Sequence, residues 1–570
     1  MRARRSATNT KRAGALVPPF GLSLSNPPLS LSKGPVLPPA LRQAQRERGL
    51  ELARDAALTP ALRQAQREGG PSIALVITAA IAVALALTAC APLPPQAAAP
   101  QPRTPARLGL AEHTATPRPA EQWWRGFGDA ALDAWVEHAL AGQPSLAAAA
   151  ARTARAGAAV SAERAAGRPQ LDLEADVGTQ RYSEHGLIPP AVAGQVRDSA
   201  TVQLAGRWEI DFFGRHRTAL AAALGHERAL AAEQQAARTL LAAEVVRAWV
   251  RLARLHDERT LAERALALRE TMLALTRQRE AAGLDSRLEL RQAESALPDA
   301  RRQIEALDEQ MTRARHALAA LAGEAPGSMA ATFAWPAPTS PAASTPSSAQ
   351  SSLTPSTAPR LAPLQSPPLP TPLGADLLGR RADVVAARWR VEAATHGVAL
   401  ARAQYLPDFD LVAFAGFNSL GLSRLLDLGS RNLGARAALR LPVFDGGRLD
   451  AQLGARHADL AAAVAAYDGA VIGAVREAAD AAASVRSLQR QRAEHEQTLA
   501  AAEAALAFAA ERQRAGIGGA LPVLTIELQV LQQRRAAAEL HARSLDAQAQ
   551  LMGALGGGYE EPPAARRGSE

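Results

Sequence analysis

The chain's single cysteine, Cys90, sits in a setting that names a chemistry. Ile73 to Ala89 is one apolar run, short for a transmembrane helix, and it closes on Leu87-Thr88-Ala89-Cys90. That tetrapeptide fits the processing site of bacterial lipoproteins, where the chain is cut between Ala89 and Cys90 and the thiol carries diacylglycerol. A signal anchor with an incidental cysteine is the alternative. With one cysteine, neither a disulfide nor a thiolate metal cluster can form within a protomer. The eleven histidines are scattered without a spaced pair, and His216, His226 and His256 read as surface or interhelix residues. No nucleophile, base and metal-ligand set converges, so no enzyme, no metal site and no cofactor beyond the lipid on Cys90 is expected.

Around this leader the composition changes. Residues 1–72 contain Ala40-Leu41-Arg42-Gln43-Ala44-Gln45-Arg46-Glu47, repeated as Ala61-Leu62-Arg63-Gln64-Ala65-Gln66-Arg67-Glu68, and the only two lysines, Lys11 and Lys33. This reads as a spurious or disordered extension, with a functional repeat as the rival. Residues 1–89 hold 12 basic and 4 acidic residues, hence +8 of the formal +9. The remainder is nearly neutral, so the basic balance is no argument for nucleic acid. Residues 90–120 include the Pro-rich stretch Pro92 to Pro105, a tether for a lipidated N-terminus.

Beyond the tether the chain is duplicated. Gly214, Gly283 and Gly323 are spaced 69 and 40 residues apart, and Gly447, Gly516 and Gly556 repeat the same intervals at an offset of 233. Leu220 matches Leu453, Glu244 matches Glu477 and Glu294 matches Glu527. A count fixed over this distance means continuous regular structure, because loops accept insertions. Between Gly214 and Gly283 there is no proline, and apolar positions recur at Leu241, Val245, Ala248, Leu252 and Leu255. This predicts one helix over 214–282, roughly 100 Å long. The return helix 285–322 reaches only about 60 Å. The short helices Ser145–Ala166 and Asp383–Gln404, each about 35 Å, would complete the length if stacked end to end with the return helices. The second repeat predicts helices over 447–515 and 520–555 in the same way.

Between short and long helix each half changes period. Leu171, Leu173, Ala175 and Val177 alternate with Asp172, Glu174, Asp176 and Gly178; Val202, Leu204, Trp208 and Ile210 alternate with Gln203, Arg207, Glu209 and Asp211. Phe409 to Phe417 is more uniformly apolar, and Leu433, Ala435, Ala437, Leu439 and Leu441 alternate again. These are strand patterns and predict β-hairpins over 169–212 and 407–445. Four strands of about ten residues suit an outer-membrane-type wall. They also suit a small soluble sheet. Four strands cannot close around a polar lumen, so a membrane wall would require several copies. The fold class is thus α+β, duplicated over 121–330 and 374–556, with long coiled-coil hairpins and four transmembrane strands per protomer.

The chain from Gln122 to Gly556 resembles the outer-membrane efflux protein family, the TolC-like outer membrane factors, and within it the NodT-like lipoprotein branch. The resemblance rests on Trp123-Trp124-Arg125-Gly126-Phe127-Gly128-Asp129, Leu377-Leu378-Gly379-Arg380-Arg381-Ala382-Asp383-Val384 and Leu441-Pro442-Val443-Phe444-Asp445-Gly446-Gly447-Arg448. Ala382 stands where the family usually has proline. The resemblance implies a homotrimer with a twelve-stranded barrel in outer-membrane lipid and a periplasmic α-barrel. It implies a passive exit duct coupled through a periplasmic adaptor to an inner-membrane pump of the resistance-nodulation-division type or a relative. Ala91 after the cysteine favours outer-membrane sorting by the same resemblance. The adaptor-binding tip would be Gly283, Leu284, Asp285 and Ser286 together with Gly516, Ile517, Gly518 and Gly519. Six residues past each tip glycine, where relatives often place an aspartate near the constriction, stand Glu289 and Pro522. Only the first repeat keeps a carboxylate, so Glu289, with Asp285, is the candidate gate.

Residues 331–373 form a Pro/Ser/Thr-rich linker, expected to be disordered or extended and to act as a permissive loop; 557–570 is a polar tail. Two rivals remain: a type I protein-secretion duct with the same architecture, and a lipid-anchored periplasmic scaffold that does not conduct. The strand hairpins speak against the scaffold.

Overall fold

The computed structural model describes residues 120–187, 189–326, 359–365 and 381–559. The leader 73–89, Ala89, Cys90, the tether up to residue 119, the extension 1–72 and residues 560–570 lie outside the described residues, as does the linker apart from 359–365. In the first repeat the elements are α1 (Ala130–Gly142), α2 (Pro144–Ala166), β1 (Gln170–Arg181), β2 (Val196–Ile210), α3 (Arg215–Ala281) and α4 (Arg287–Leu321). The second has α5 (Ala382–Ala403), β3 (Asp408–Leu420), β4 (Arg431–Arg440), α6 (Arg448–Arg514) and α7 (Ala520–Ala554). Both long helices have 67 residues and both return helices 35.

The duplicated spacing has a physical origin in its glycines. Gly214 and Gly447 precede the long helices with φ of 76° and 85°; Gly283, Gly516, Gly323 and Gly556 follow helix ends with φ of 75°, 74°, 79° and 89°. Left-handed backbone costs an L-residue roughly 1–2 kcal/mol. At the end of α4, Glu324 N–H donates to Ala319 O and Gly323 N–H to Ala320 O; at the end of α7, Gly557 N–H donates to Met552 O and Gly556 N–H to Gly553 O. These paired bonds are the Schellman arrangement, and they satisfy carbonyls that the helix end would otherwise orphan.

The helices form a layer. α3 is flanked by α2 and α4 and by α5 and α7, while α6 packs against α5 and α7. Along α3 the short and return helices stand end to end: a Cβ on Gly323 would lie 2.6 Å from Gly142 O and 2.9 Å from Pro144 Cδ, and one on Gly556 3.2 Å from Arg381 Cα. The stacking expected from the helix lengths is therefore present in both repeats. Of the heptad-like positions on α3, Leu241, Val245, Leu252 and Leu255 are buried and Ala248 packs against the same core.

That core also contains a short layer that the glycine spacing and strand periodicity do not predict. A 3-10 turn, Trp123–Phe127, and α1 place Trp123, Trp124, Phe127, Leu132, Trp135 and Val136 over one face of α3. Asp129 caps α1, its Oδ1 accepting from Ala131 N–H at 2.8 Å, while its Oδ2 accepts from Trp249 Nε1–H at 3.0 Å. Part of the linker joins this layer, which corrects the expectation of a wholly free loop. Leu361 and Leu364 are each 3% exposed, Leu361 N–H donates to Asp257 Oδ2 at 3.2 Å, and Gln365 N–H donates to Phe127 O at 2.9 Å. Burying two leucines contributes about 1.5–3 kcal/mol each, enough to offset the ordering of a few residues.

The sheet is antiparallel in the order β1-β2-β3-β4, so the β2–β3 seam joins the repeats. Opposed residues share a face. The register Leu173↔Leu204↔Ala415↔Leu433, with Trp208↔Leu411↔Ala437, gathers the apolar residues of all four strands on one side. The other side carries Gln203–Glu174 and Arg207–Asp410 contacts across strands. β3 looked uniformly apolar because Val412 and Phe414 lie on this polar side, where the Phe414 ring covers Gly434 opposite it.

Candidate functional site

Two surfaces stand out: the apolar wall of the sheet and the turns at the far ends of the helical hairpins. On the wall, Leu171, Leu173, Val177 and Leu433 are 61–76% exposed. Where the strands meet the helices, Phe212 packs edge-on against Phe409 with centroids 4.9 Å apart, and Phe444 is exposed. An uncovered apolar strand face flanked by aromatics is what a lipid-facing wall requires. The sequence signal for this girdle is Phe212-Phe213 and Phe444 just ahead of the landmark glycines, outside the alternating strand pattern.

The first tip turn joins α3 to α4. Leu284 N–H donates to Arg279 O at 2.8 Å and Gly283 N–H to Glu280 O at 2.9 Å. Ser286 caps α4, its Oγ accepting from Leu288 N–H at 3.1 Å, and the Glu289 carboxylate accepts from Ser286 N–H at 2.9 Å, which completes a capping box. Asp285 accepts two bonds from Arg279, Nε to Oδ2 and Nη2 to Oδ1, both 2.9 Å. The Arg279 guanidinium holds the Asp285 carboxyl below its usual range, and hydrogen bonding from Ser286 does the same for Glu289. Both candidate gate carboxylates are thus engaged in bracing their own turn.

The second tip turn, between α6 and α7, keeps the backbone and drops the braces. Ile517 N–H donates to Arg512 O and Gly516 N–H to Gln513 O, each at 3.0 Å. Gly519 precedes α7 with no side-chain cap, and Pro522 occupies the first turn of that helix. At both turns large apolar side chains face solvent: Leu284 and Leu288 in the first, Ile517 in the second, with Phe508 nearby on α6. Exposed apolar residues on a rigid turn suit partner contact.

The first turn should loosen when its brace is cut. Asp285→Asn is expected to raise amide hydrogen exchange at 283–288 several-fold at pH 7 and to leave 516–519 unchanged. Because the folded Asp285 carboxyl titrates below its unfolded value, its contribution is complete above roughly pH 4 and is lost as pH falls through the folded value. Wild type and variant should therefore converge in acid. Equal exchange at neutral pH would show that the Arg279 pair carries no restraint.

Comparison with known proteins places this geometry. Residues 135–324 and 373–557 match the family described as outer membrane efflux protein. The fusaric acid resistance protein FusA of Burkholderia cepacia is 35% identical over 345 residues, 60% of each chain. The multidrug resistance outer membrane protein MdtQ of Escherichia coli O157:H7 is 31% identical over 490 residues, 84% of this chain and 96% of that one. The crystal structure of the outer membrane protein VceC of Vibrio cholerae superposes with a TM-score of 0.66 at 32% identity, covering 78% of this chain and all of that one. On these matches, with the open strand wall and paired helical hairpins, the chain belongs to the outer membrane efflux protein family.

Proposed function

We propose that the chain is one protomer of a homotrimeric exit duct in the outer membrane, anchored by lipid on Cys90, that passively conducts drugs or other toxic compounds. A periplasmic adaptor would dock on the two tip turns and deliver cargo from an inner-membrane pump of the resistance-nodulation-division type or a relative. The observation that carries this reading is the strand register, which gathers apolar residues on one face and leaves β1 and β4 as edges with no partner strand among the described residues. Unpaired edges in a bilayer are untenable, and three copies would close a twelve-stranded barrel. The helical layer supports the same assembly. α6 lies at its rim, and an 18-residue window of it with mean hydropathy 1.5 is only 17% buried, an alanine-rich face fit for a neighbouring copy. Relatives named for multidrug resistance support small-molecule cargo.

Purified protein beginning at Cys90 should run as a trimer in detergent and give discrete conductance steps in planar bilayers. Folded trimers that never conduct, even with Asp285 and Glu289 replaced by alanine, would favour the scaffold reading and sink the duct.

A further inference from the structure

The face of α3 opposite Trp249 carries a basic groove with no assigned role. Arg247, Arg251 and Arg254 recur there at helical spacing, while Trp249 and Leu252 point into the covered core. The groove, about 880 Å³, lies between α4 and α7 with α3 as its floor. Its wall adds Arg313 from α4 and Arg543 from α7, so five guanidiniums meet two lining carboxylates, Glu244 and Asp546. Ala248, Ala314, Ala317, Ala320 and Ala542 leave an apolar bed between them.

The carboxylates are committed. Arg247 donates to Asp546 Oδ1 at 2.8 Å and to Glu244 Oε1 at 3.0 Å, and Arg254 is held by Glu258, itself outside the groove lining. Arg247–Asp546 and Arg535–Glu258 set the antiparallel register of α3 against α7, and that register brings Arg251 opposite Ala542 and Arg543. Arg251 and Arg543 are both exposed, and neither has a carboxylate partner among the described residues. Two unneutralised guanidiniums above an alanine bed suit a ligand with an anionic head and an apolar body.

We propose that this groove is a binding station for amphipathic organic anions, gripped at the head by Arg251 and Arg543. Its place in a conduction path rests on the duct reading above: a closed ring of these layers can line its lumen only with the face that lacks the extra layer of α1 and the tryptophans. The groove is bounded on both sides by helices of the same protomer, so a neighbouring copy packed at the rim leaves it open.

The test separates the two readings. Naphthalene-1-sulfonate binding to the full assembly in nanodiscs, measured by calorimetry, should weaken roughly tenfold in the Arg251→Gln/Arg543→Gln double variant, as expected for losing charge-assisted contacts. The cationic analogue, naphthyl-trimethylammonium, should bind poorly to both. In planar bilayers the same sulfonate should block wild-type current and the variant less, with reversal potential shifting away from anion preference. Equal sulfonate binding by wild type and a folded variant overturns the station. Arginine-dependent binding without any conductance upholds the station and overturns the duct; conductance with arginine-independent block upholds the duct and overturns the station.

Discussion

Valine in place of Gly416 is expected to abolish membrane insertion. Gly416 faces Gln203 at the seam between the repeats, and a Cβ there would lie 2.2 Å from Val202 O and 2.4 Å from Gln203 Cα. Backbone cannot yield as a side-chain tip can, so relief means parting the β2–β3 ladder, at about 3 kcal/mol or more. The wall would then gain two further bare edges, which a bilayer does not tolerate. Heat-modifiable mobility of the outer-membrane fraction on gels reads this directly. Gly434→Ala is the control: there the nearest atom is the Phe414 ring at 2.7 Å, which can swing aside, so the folded band should persist. A normal folded band for Gly416→Val would show that the seam is not closed as described.

The second large effect is expected at Trp249. It is 2% exposed, stacks near Trp135 with centroids 6.4 Å apart, and donates to the same carboxylate that caps α1. Trp249→Ala should cost about 3–5 kcal/mol through lost burial and the cavity left behind. Trp249→Phe keeps much of the volume but withdraws the donor from Asp129 Oδ2, at about 1–3 kcal/mol. Limited proteolysis in detergent should show 120–143 released first in the alanine variant, with the helical hairpins still protected. Uniform cleavage along the chain would indicate that this layer does not open as a unit.

Much of the architecture was legible because its constraints are local and periodic. Six glycines at matched intervals predicted helix ends to within a residue or two, since each needs a left-handed backbone that few residues supply. Alternation in β1, β2 and β4 predicted the strands, and the register then explained why β3 departs from it. The short layer over α3 was missed even though Leu132, Trp135, Val136 and Ala139 follow the i, i+3, i+4, i+7 pattern behind a capping Asp129. Trp123–Asp129 is conspicuous as a motif, and its aromatics and glycines mask its role as the entrance to a helix. Leu361 and Leu364 were hidden by composition: inside a run of Pro, Ser and Thr, two leucines carry no period, and only the core they enter gives them meaning. At the tips, sequence offset singled out Asp285 and Glu289 for a gate, but what each bonds to is set by Arg279 and Ser286 a few residues away.

The butted helices have a mechanical consequence. α3 and α6 are unbroken spars, whereas α4–α2 and α7–α5 are spliced, held across the joint by Gln143 Nε2–H to Ala320 O at 3.2 Å in one and by Arg381 Nη1–H to Ala554 O at 3.0 Å in the other. A splice resists compression through its abutting ends but transmits bending only through such stays. The distal return helix of each repeat can therefore tilt at its splice only as far as the unbroken spar beside it curves, and gentle curvature of a long helix requires no turn to unwind.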